Sequence, residues 1–132
     1  MAIGQVRTSA IDMLQWSSCL FASVVIHAYH RQCAAYHHAF LLLTTTSILF
    51  HCEHHPVVRR IDKVLAHLVY ALVLSDTSSV YALDALWLLA FPLSASCAWF
   101  AQSFWPEWSN RLHLALHLIS VCGMHAYMCV LY

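Results

Sequence analysis

The sequence predicts an all-α protein, a polytopic membrane helix bundle with about five transmembrane helices. Three observations predict this class. Of the 132 residues, 61% are apolar and 9% are charged, whereas about a quarter of the residues in typical soluble domains are charged. The charged residues lie between long uncharged runs. The basic residues also fall mainly on one side of the membrane when these runs are taken as spans.

Length and charge narrow the class further. A chain of 132 residues accommodates one domain, so we expect residues 1–132 to form a single transmembrane domain. Six basic residues balance six acidic residues, which excludes the strongly basic face of a nucleic-acid-binding protein. Eleven histidines stand out against these twelve fixed charges, and they are the first candidates for chemistry.

The first two helices are predicted from two uncharged runs that flank Arg31. Residues 13–30 and 32–52 contain no Asp, Glu, Lys or Arg. About 20 residues are needed to cross a hydrocarbon core about 30 Å thick. We therefore expect helices near 12–30 and 33–53. The first run lacks a basic segment before it and a small-x-small motif after it, so a cleaved signal peptide is not expected.

The third helix is the weakest prediction, and the last two are stronger. Its uncharged run covers only residues 64–75. It becomes a span near 61–80 if Asp62 and Lys63 lie at the membrane surface and Asp76 faces the bundle interior. Two further long uncharged runs predict the remaining helices, near 83–105 and 112–132. Between them, residues 105–110 predict a short turn that enters the last helix.

The orientation follows from the basic residues, because Lys and Arg are enriched in cytoplasmic loops. With five spans, five of the six basic residues fall on one side. They are Arg7, Arg59, Arg60, Lys63 and Arg111, with Arg31 alone on the other side. We therefore expect an integral, multi-pass protein whose N-terminus is cytoplasmic and whose C-terminus lies on the opposite side.

Two histidines in the last predicted helix indicate a metal site. His113 and His117 are four residues apart, so their imidazoles lie on one face of a helix. A catalytic zinc site takes three protein ligands and keeps a fourth position open. The best third candidate is His51, at the end of the second helix. Ser47 lies one turn before it, and Asp62 follows eleven residues after it. With five spans, all five side chains share the cytoplasmic leaflet.

These residue types suit hydrolysis. Zinc held by three neutral imidazoles lowers the pKa of its bound water to about 7. Asp62 could accept a proton from that water as a general base. Ser47 could donate to an oxyanion or orient the water. Because the site would lie at the bilayer boundary, the expected substrate is an amide or ester of a membrane lipid.

The same five residues carry a family resemblance. A Ser-x-x-x-His motif near the end of one helix, an Asp opening the next and His-x-x-x-His in the final helix resemble the CREST superfamily of membrane hydrolases. That group includes alkaline ceramidases, the PAQR receptors and GPI-specific phospholipases. The resemblance implies that His51, His113 and His117 are zinc ligands, and that Asp62 and Ser47 hold the zinc-bound water. The family has seven helices and this chain has room for five, so a partner subunit or a homo-oligomer could complete the bundle.

Each candidate residue also has an alternative interpretation. His113 and His117 could be polar side chains that hydrogen-bond across the bundle. Asp62 could be an interfacial cap at the start of the third helix. The Ser47 hydroxyl could bond back to its own helix, as hydroxyls in membrane helices often do.

The other histidines also have more than one interpretation, and so does the function of the protein as a whole. His67 could lie beside the site as a hydrogen-bond donor. Four histidines flank the predicted turn between the first two helices, either as interfacial residues or as a second metal site: His27, His30, His37 and His38. A non-catalytic membrane scaffold or complex subunit would keep the same fold. A b-type haem protein would use histidines of two helices as axial ligands.

Overall fold

The computed structural model describes residues 13–53, 55–79 and 87–132, and they form five helices of ten residues or more and no strand. The predicted all-α class is therefore confirmed. Residues 13–19 are helical and continue, after a turn at residue 20, into the first of the five. The helices are α1 (Phe21–His30), α2 (Ala34–Glu53), α3 (Pro56–Ser79), α4 (Ala90–Phe104) and α5 (Ser109–Leu131).

Three helices lie close to their predicted positions. α2 begins one residue after the predicted span 33–53 and ends with it. α5 begins at Ser109, three residues before the predicted span 112–132. The described part of the predicted span 12–30 is helical except for the turn at Leu20. The uncharged runs therefore locate these helices, because the charged residues that bound each run lie near the helix ends.

The third and fourth helices differ from their predictions at their first residues. α3 begins five residues before the predicted start of 61–80. Residues 87–89 form a 3-10 turn before α4, so the α-helix there is shorter than the predicted span 83–105. Residues 80 and 83–86 of these two spans lie outside the described part of the chain. The predicted turn before α5 is present as a 3-10 helix, Pro106–Trp108.

The early start of α3 corrects the cap interpretation of Asp62. Pro56 occupies the first helical position, where its fixed φ and missing N–H are favourable. Asp62 therefore lies in the second turn of α3 and not at its start. A carboxylate there is too far along the helix to cap its first N–H groups.

A tight turn reverses the chain between α1 and α2. Gln32 has a φ of 59°, the left-handed conformation that usually falls to glycine at the end of a helix. The N–H of Cys33 donates to the carbonyl of Ala28 at 2.9 Å, and that of Gln32 donates to the carbonyl of Tyr29 at 3.0 Å. These two bonds form a Schellman motif, which starts α2 back along α1.

The helices pack mainly against their neighbours in the chain. α2 contacts both α1 and α3, α4 contacts α5, and α5 returns to contact α1. Phe21, Phe40 and Met128 from three helices lie in the common core. Gly123 allows α5 to approach α4 closely, since a Cβ atom there would lie 2.7 Å from the Cβ of Phe91. α3 meets α4 through a 2.7 Å hydrogen bond between the hydroxyls of Tyr70 and Ser96.

Large apolar side chains cover much of the surface. Examples from four helices are Leu42, Leu68, Phe100 and Leu118, each more than two-fifths exposed. Among the described residues, one helical segment is long and apolar enough to cross a membrane, the 26 residues Pro106–Leu131. Only 33% of its most apolar window is buried inside the protein. This segment is the one described candidate for a membrane span, and the five-span bundle stays a prediction.

Candidate metal centre

Three imidazoles from two helices converge at one end of the bundle. His51 lies in the last turn of α2, whereas His113 and His117 lie in the second and third turns of α5. Each offers one ligand atom within 4.8 Å of those of the other two. Among the described residues this is the one such group of three or more side chains. The arrangement could hold a metal ion.

The geometry of this cluster is close to that of a bound site. Nitrogens on one tetrahedral zinc ion lie about 3.3 Å apart, given Zn–N distances of about 2.0–2.1 Å. The three ligand atoms lie within 4.8 Å of one another, about 1.5 Å or less beyond that separation. His51 and His117 are 5% and 4% exposed, and His113 is half-buried. The ring centroids of His113 and His117 are 4.6 Å apart, as the spacing of four residues on one helix predicts.

A hydroxyl one helical turn from His51 is hydrogen-bonded to a carboxylate. The Ser47 hydroxyl donates to Oδ1 of Asp62 at 2.5 Å. The Thr46 hydroxyl donates to the same oxygen at 3.2 Å. Ser47 precedes His51 by four residues, so α2 presents the serine and the imidazole one turn apart on one face. The described hydrogen bonds of the Asp62 carboxylate are therefore with hydroxyls of α2.

The hydroxyls of α2 divide between two roles. Thr44 and Thr45 donate to the carbonyls of Phe40 and Leu41, one turn earlier in the same helix. This is the back-bonding that was one interpretation of Ser47. The Ser47 side chain is instead 2% exposed and bonds across to α3. The Thr46 hydroxyl also bonds back, since it lies 3.1 Å from the carbonyl oxygen of Leu43. The alternative interpretation therefore describes the three preceding threonines and not Ser47 itself.

The helical segment 13–19 adds two contacts that sequence reasoning missed. The Ser17 hydroxyl lies 2.8 Å from Nδ1 of His117. The side-chain amide of Gln15 donates to the backbone carbonyl of His51 at 3.1 Å. The ring of Phe21 packs edge-on against His117, with centroids 5.1 Å apart. The signal that could have indicated this contact is a pair of adjacent serines in the first apolar run.

The remaining histidines do not join the cluster. The prediction that His67 lies beside the site is wrong, because its side chain is exposed and its ring packs against Trp99. Its Nδ1 donates to the carbonyl of Lys63 at 2.6 Å. His37 and His38 likewise donate to backbone carbonyls. Within the described ranges, the histidines near the α1–α2 turn form no convergent group of three.

His27 and His125 instead form a hydrogen-bonded pair between α1 and α5. Their Nδ1 atoms are 2.8 Å apart, and their rings stack at 5.0 Å. Two axial nitrogens on opposite sides of a haem iron would be about 4 Å apart, given metal–nitrogen distances of about 2 Å. The pair as it stands has no room for an iron between its rings. Ser23 extends it, since its hydroxyl lies 2.9 Å from Nε2 of His125.

A second half-buried carboxylate lies at the other end of the bundle. The span predicted near 61–80 requires Asp76 to face the bundle interior. The Tyr36 hydroxyl donates to its Oδ2 at 2.6 Å, and Tyr132 contributes a longer bond of 3.4 Å. Tyr36 is itself buried against Tyr127. Asp76 therefore faces the bundle and joins α3 to α2 and α5.

Comparison of the chain with protein-family models, with curated proteins and with solved structures found no match.

Proposed function

We propose that this protein is a small CREST-like, zinc-dependent membrane hydrolase that acts on a lipid amide or ester, such as a ceramide-like substrate. One observation carries the proposal. Three imidazoles of two helices lie within 4.8 Å of one another, and the hydrogen-bonded pair of Ser47 and Asp62 lies one helical turn away. A convergent metal-ligand set near a half-buried carboxylate is a combination that suits metal-assisted hydrolysis.

Zinc suits this donor set. Three neutral imidazoles form the ligand set of a well-known class of catalytic zinc site, which keeps its fourth position for water or substrate. When bound, zinc would supply Lewis-acid activation of water at neutral pH. His51, His113 and His117 would hold the ion. The burial of two of these rings would keep competing solvent away from the ligand atoms.

Ser47 and Asp62 would act as a proton-accepting unit. A hydroxyl has a single proton, and that of Ser47 is donated to Oδ1 of Asp62. Of the two predicted roles of Ser47, the geometry therefore favours orienting the carboxylate. Donation to an oxyanion is the less favoured role. Both described hydroxyl contacts of Asp62 are to Oδ1. Oδ2 would be the oxygen that accepts a proton during hydrolysis.

The membrane setting rests on the exposed apolar surface and on the basic residues. Exposed leucine, valine and aromatic side chains occur on all five helices, as expected for a bundle that faces lipid. With five spans, the N-terminus would be cytoplasmic. A lipid substrate would reach the site laterally. Members of the CREST superfamily have two additional helices. In this protein, a partner subunit or a second copy would complete the cavity that holds a lipid chain.

Metal content tests the proposal directly. Detergent-purified protein should contain about one zinc ion per chain, and the His113→Ala/His117→Ala variant should lose it. His67→Ala is the matched control, because His67 is exposed and away from the cluster. Folded protein that takes up no zinc would overturn the proposal. An absorption spectrum of the same sample tests the haem alternative, since a Soret band would indicate a haem protein instead of a zinc hydrolase.

A non-catalytic subunit is the second candidate function. The observation that favours it is the burial of His51 and His117, because structural zinc sites are closed whereas catalytic ones keep an open position. Lipid profiles of cells that express the wild type or Asp62→Asn distinguish the two. A hydrolase predicts that one lipid amide or ester accumulates in the variant. Unchanged levels of every lipid species would support the structural role instead.

A further inference from the structure

We propose that Ser17 is a positioning residue that fixes the tautomer and the orientation of the His117 ring. This inference rests on the proposed metal site, and it assigns a role to a helical segment that contributes no ligand. Ser17 lies 100 positions before His117 in the chain, and their contact joins segment 13–19 to α5. Both side chains are buried, at 3% and 4% exposure.

The direction of the hydrogen bond follows from its neighbours. The Ser17 hydroxyl lies 2.9 Å from the carbonyl oxygen of Leu14 and 2.8 Å from Nδ1 of His117. A carbonyl oxygen can only accept, so the single proton of Ser17 is donated to Leu14. Nδ1 of His117 must then donate its own proton to the Ser17 oxygen. The neutral ring therefore has its proton on Nδ1 and its lone pair on Nε2.

This tautomer is the one that a metal site at Nε2 requires. A metal ion binds the unprotonated nitrogen of a neutral imidazole, and the hydrogen bond of the other nitrogen decides which nitrogen that is. Partners of this kind orient metal-binding histidines, and their removal typically weakens metal binding about 10–100-fold. Because Ser17 and His117 are both buried, water does not readily replace the serine. The edge-on Phe21 ring also limits rotation of the imidazole.

A second contact of the same segment supports a positioning role. Gln15 donates to the backbone carbonyl of His51, so segment 13–19 contacts the ligand-bearing turn of α2 as well as His117. The two contacts join α2 and α5, the helices that carry the three imidazoles. The segment therefore holds the two halves of the cluster together without contributing a ligand.

The adjacent serine provides a matched control. Ser18 is fully buried, and its hydroxyl donates to the same carbonyl, that of Leu14, at the same distance of 2.9 Å. Its described hydrogen bond does not involve the His117 ring. Ser18→Ala therefore removes a buried hydroxyl from the same turn and leaves the contact with the metal cluster in place.

The test compares Ser17→Ala with Ser18→Ala in the full chain purified in detergent. Zinc affinity is measured by competition with a chelator. We expect Ser17→Ala to bind zinc about 10–100-fold more weakly, and Ser18→Ala to stay close to wild type. Ser17→Thr keeps the hydroxyl and should restore most of the affinity. Equal losses in both alanine variants would overturn the proposal, because they would indicate a general packing effect.

A second measurement does not depend on metal. The ¹⁵N shifts of the His117 ring in metal-free protein report which nitrogen carries the proton. Wild type and Ser18→Ala should show the Nδ1–H tautomer, and Ser17→Ala should lose its preference for it. If wild type binds no zinc but the tautomer changes in Ser17→Ala, the metal function fails and the role of Ser17 is supported. An unchanged tautomer in Ser17→Ala would overturn the inference.

Discussion

At the scale of single residues, several polar side chains around the candidate site have specific hydrogen-bond partners. Ser47 donates to Asp62, the Ser17 hydroxyl bonds to Nδ1 of His117, and Gln15 donates to the carbonyl of His51. Each of these groups is held within or beside an apolar bundle. A buried polar group without a hydrogen bond costs about 1–3 kcal/mol, so these contacts both stabilise the fold and limit the geometry of the candidate centre.

Ser47→Ala should therefore destabilise the protein more than the loss of a neighbouring hydroxyl. The variant leaves the half-buried Asp62 carboxylate with Thr46 as its described donor. We expect the free energy of unfolding to fall by about 1–3 kcal/mol, measured by equilibrium unfolding in mixed detergent micelles. Thr45→Ala is the control, because the Thr45 hydroxyl is exposed and bonds back to Leu41. Equal effects of the two variants would contradict the assigned role of the Ser47–Asp62 bond.

At the scale of helices, a turn and a contact between helices hold α1 in place. The Schellman motif at Gln32 directs α2 back along α1. The pair of His27 and His125 joins α1 to α5 on another side. α1 has only ten residues, and isolated helices of that length are marginal in water. Its position therefore depends on these contacts and on the core around Phe21.

Gln32→Gly should stabilise the turn. A left-handed conformation costs a residue with a Cβ roughly 1–2 kcal/mol, although the greater freedom of glycine in the unfolded chain offsets part of that gain. We expect the free energy of unfolding to rise by about 0.5–1 kcal/mol. Gln32→Ala is the control, since alanine keeps a Cβ and should not relieve the strain. A glycine variant no more stable than the alanine variant would show that Gln32 has little strain to release.

The His27–His125 pair should couple α1 to α5 energetically. Residues in direct contact show interaction energies of about 0.5–3 kcal/mol in double-mutant cycles. The cycle His27→Ala, His125→Ala and the double variant should give a coupling within that range. A parallel cycle with His30 in place of His27 should give a coupling near zero, because the described contact of the exposed His30 is with Tyr29. Additive effects in the first cycle would show that the pair is not a stabilising contact.

At the scale of the whole molecule, the proposed five-span topology makes one direct prediction. An odd number of spans would put the two termini on opposite sides of the membrane, and the distribution of basic residues predicts a cytoplasmic N-terminus. In sealed vesicles of known orientation, tags at the two ends should differ in their protection from protease. Tags on the same side would exclude five spans.

The features that the sequence alone determined are local ones. The uncharged runs located α2 and α5, because the charged residues that bound these runs lie near the ends of the helices. The i, i+4 spacing put His113 and His117 on one face, because that spacing is nearly one turn of any α-helix. The early start of α3 was missed because it depends on Pro56 and not on hydrophobicity.

The tertiary structure alone decided which helix faces meet. It brought His51 of α2 to the histidines of α5 and turned Ser47 toward Asp62, while it left His67 on the surface against Trp99. It also gave His117 a partner, Ser17, from the far end of the chain. Residue spacing specifies which side chains share a face. The rotation of each helix about its axis depends on packing with distant residues, so only the folded bundle determines these contacts.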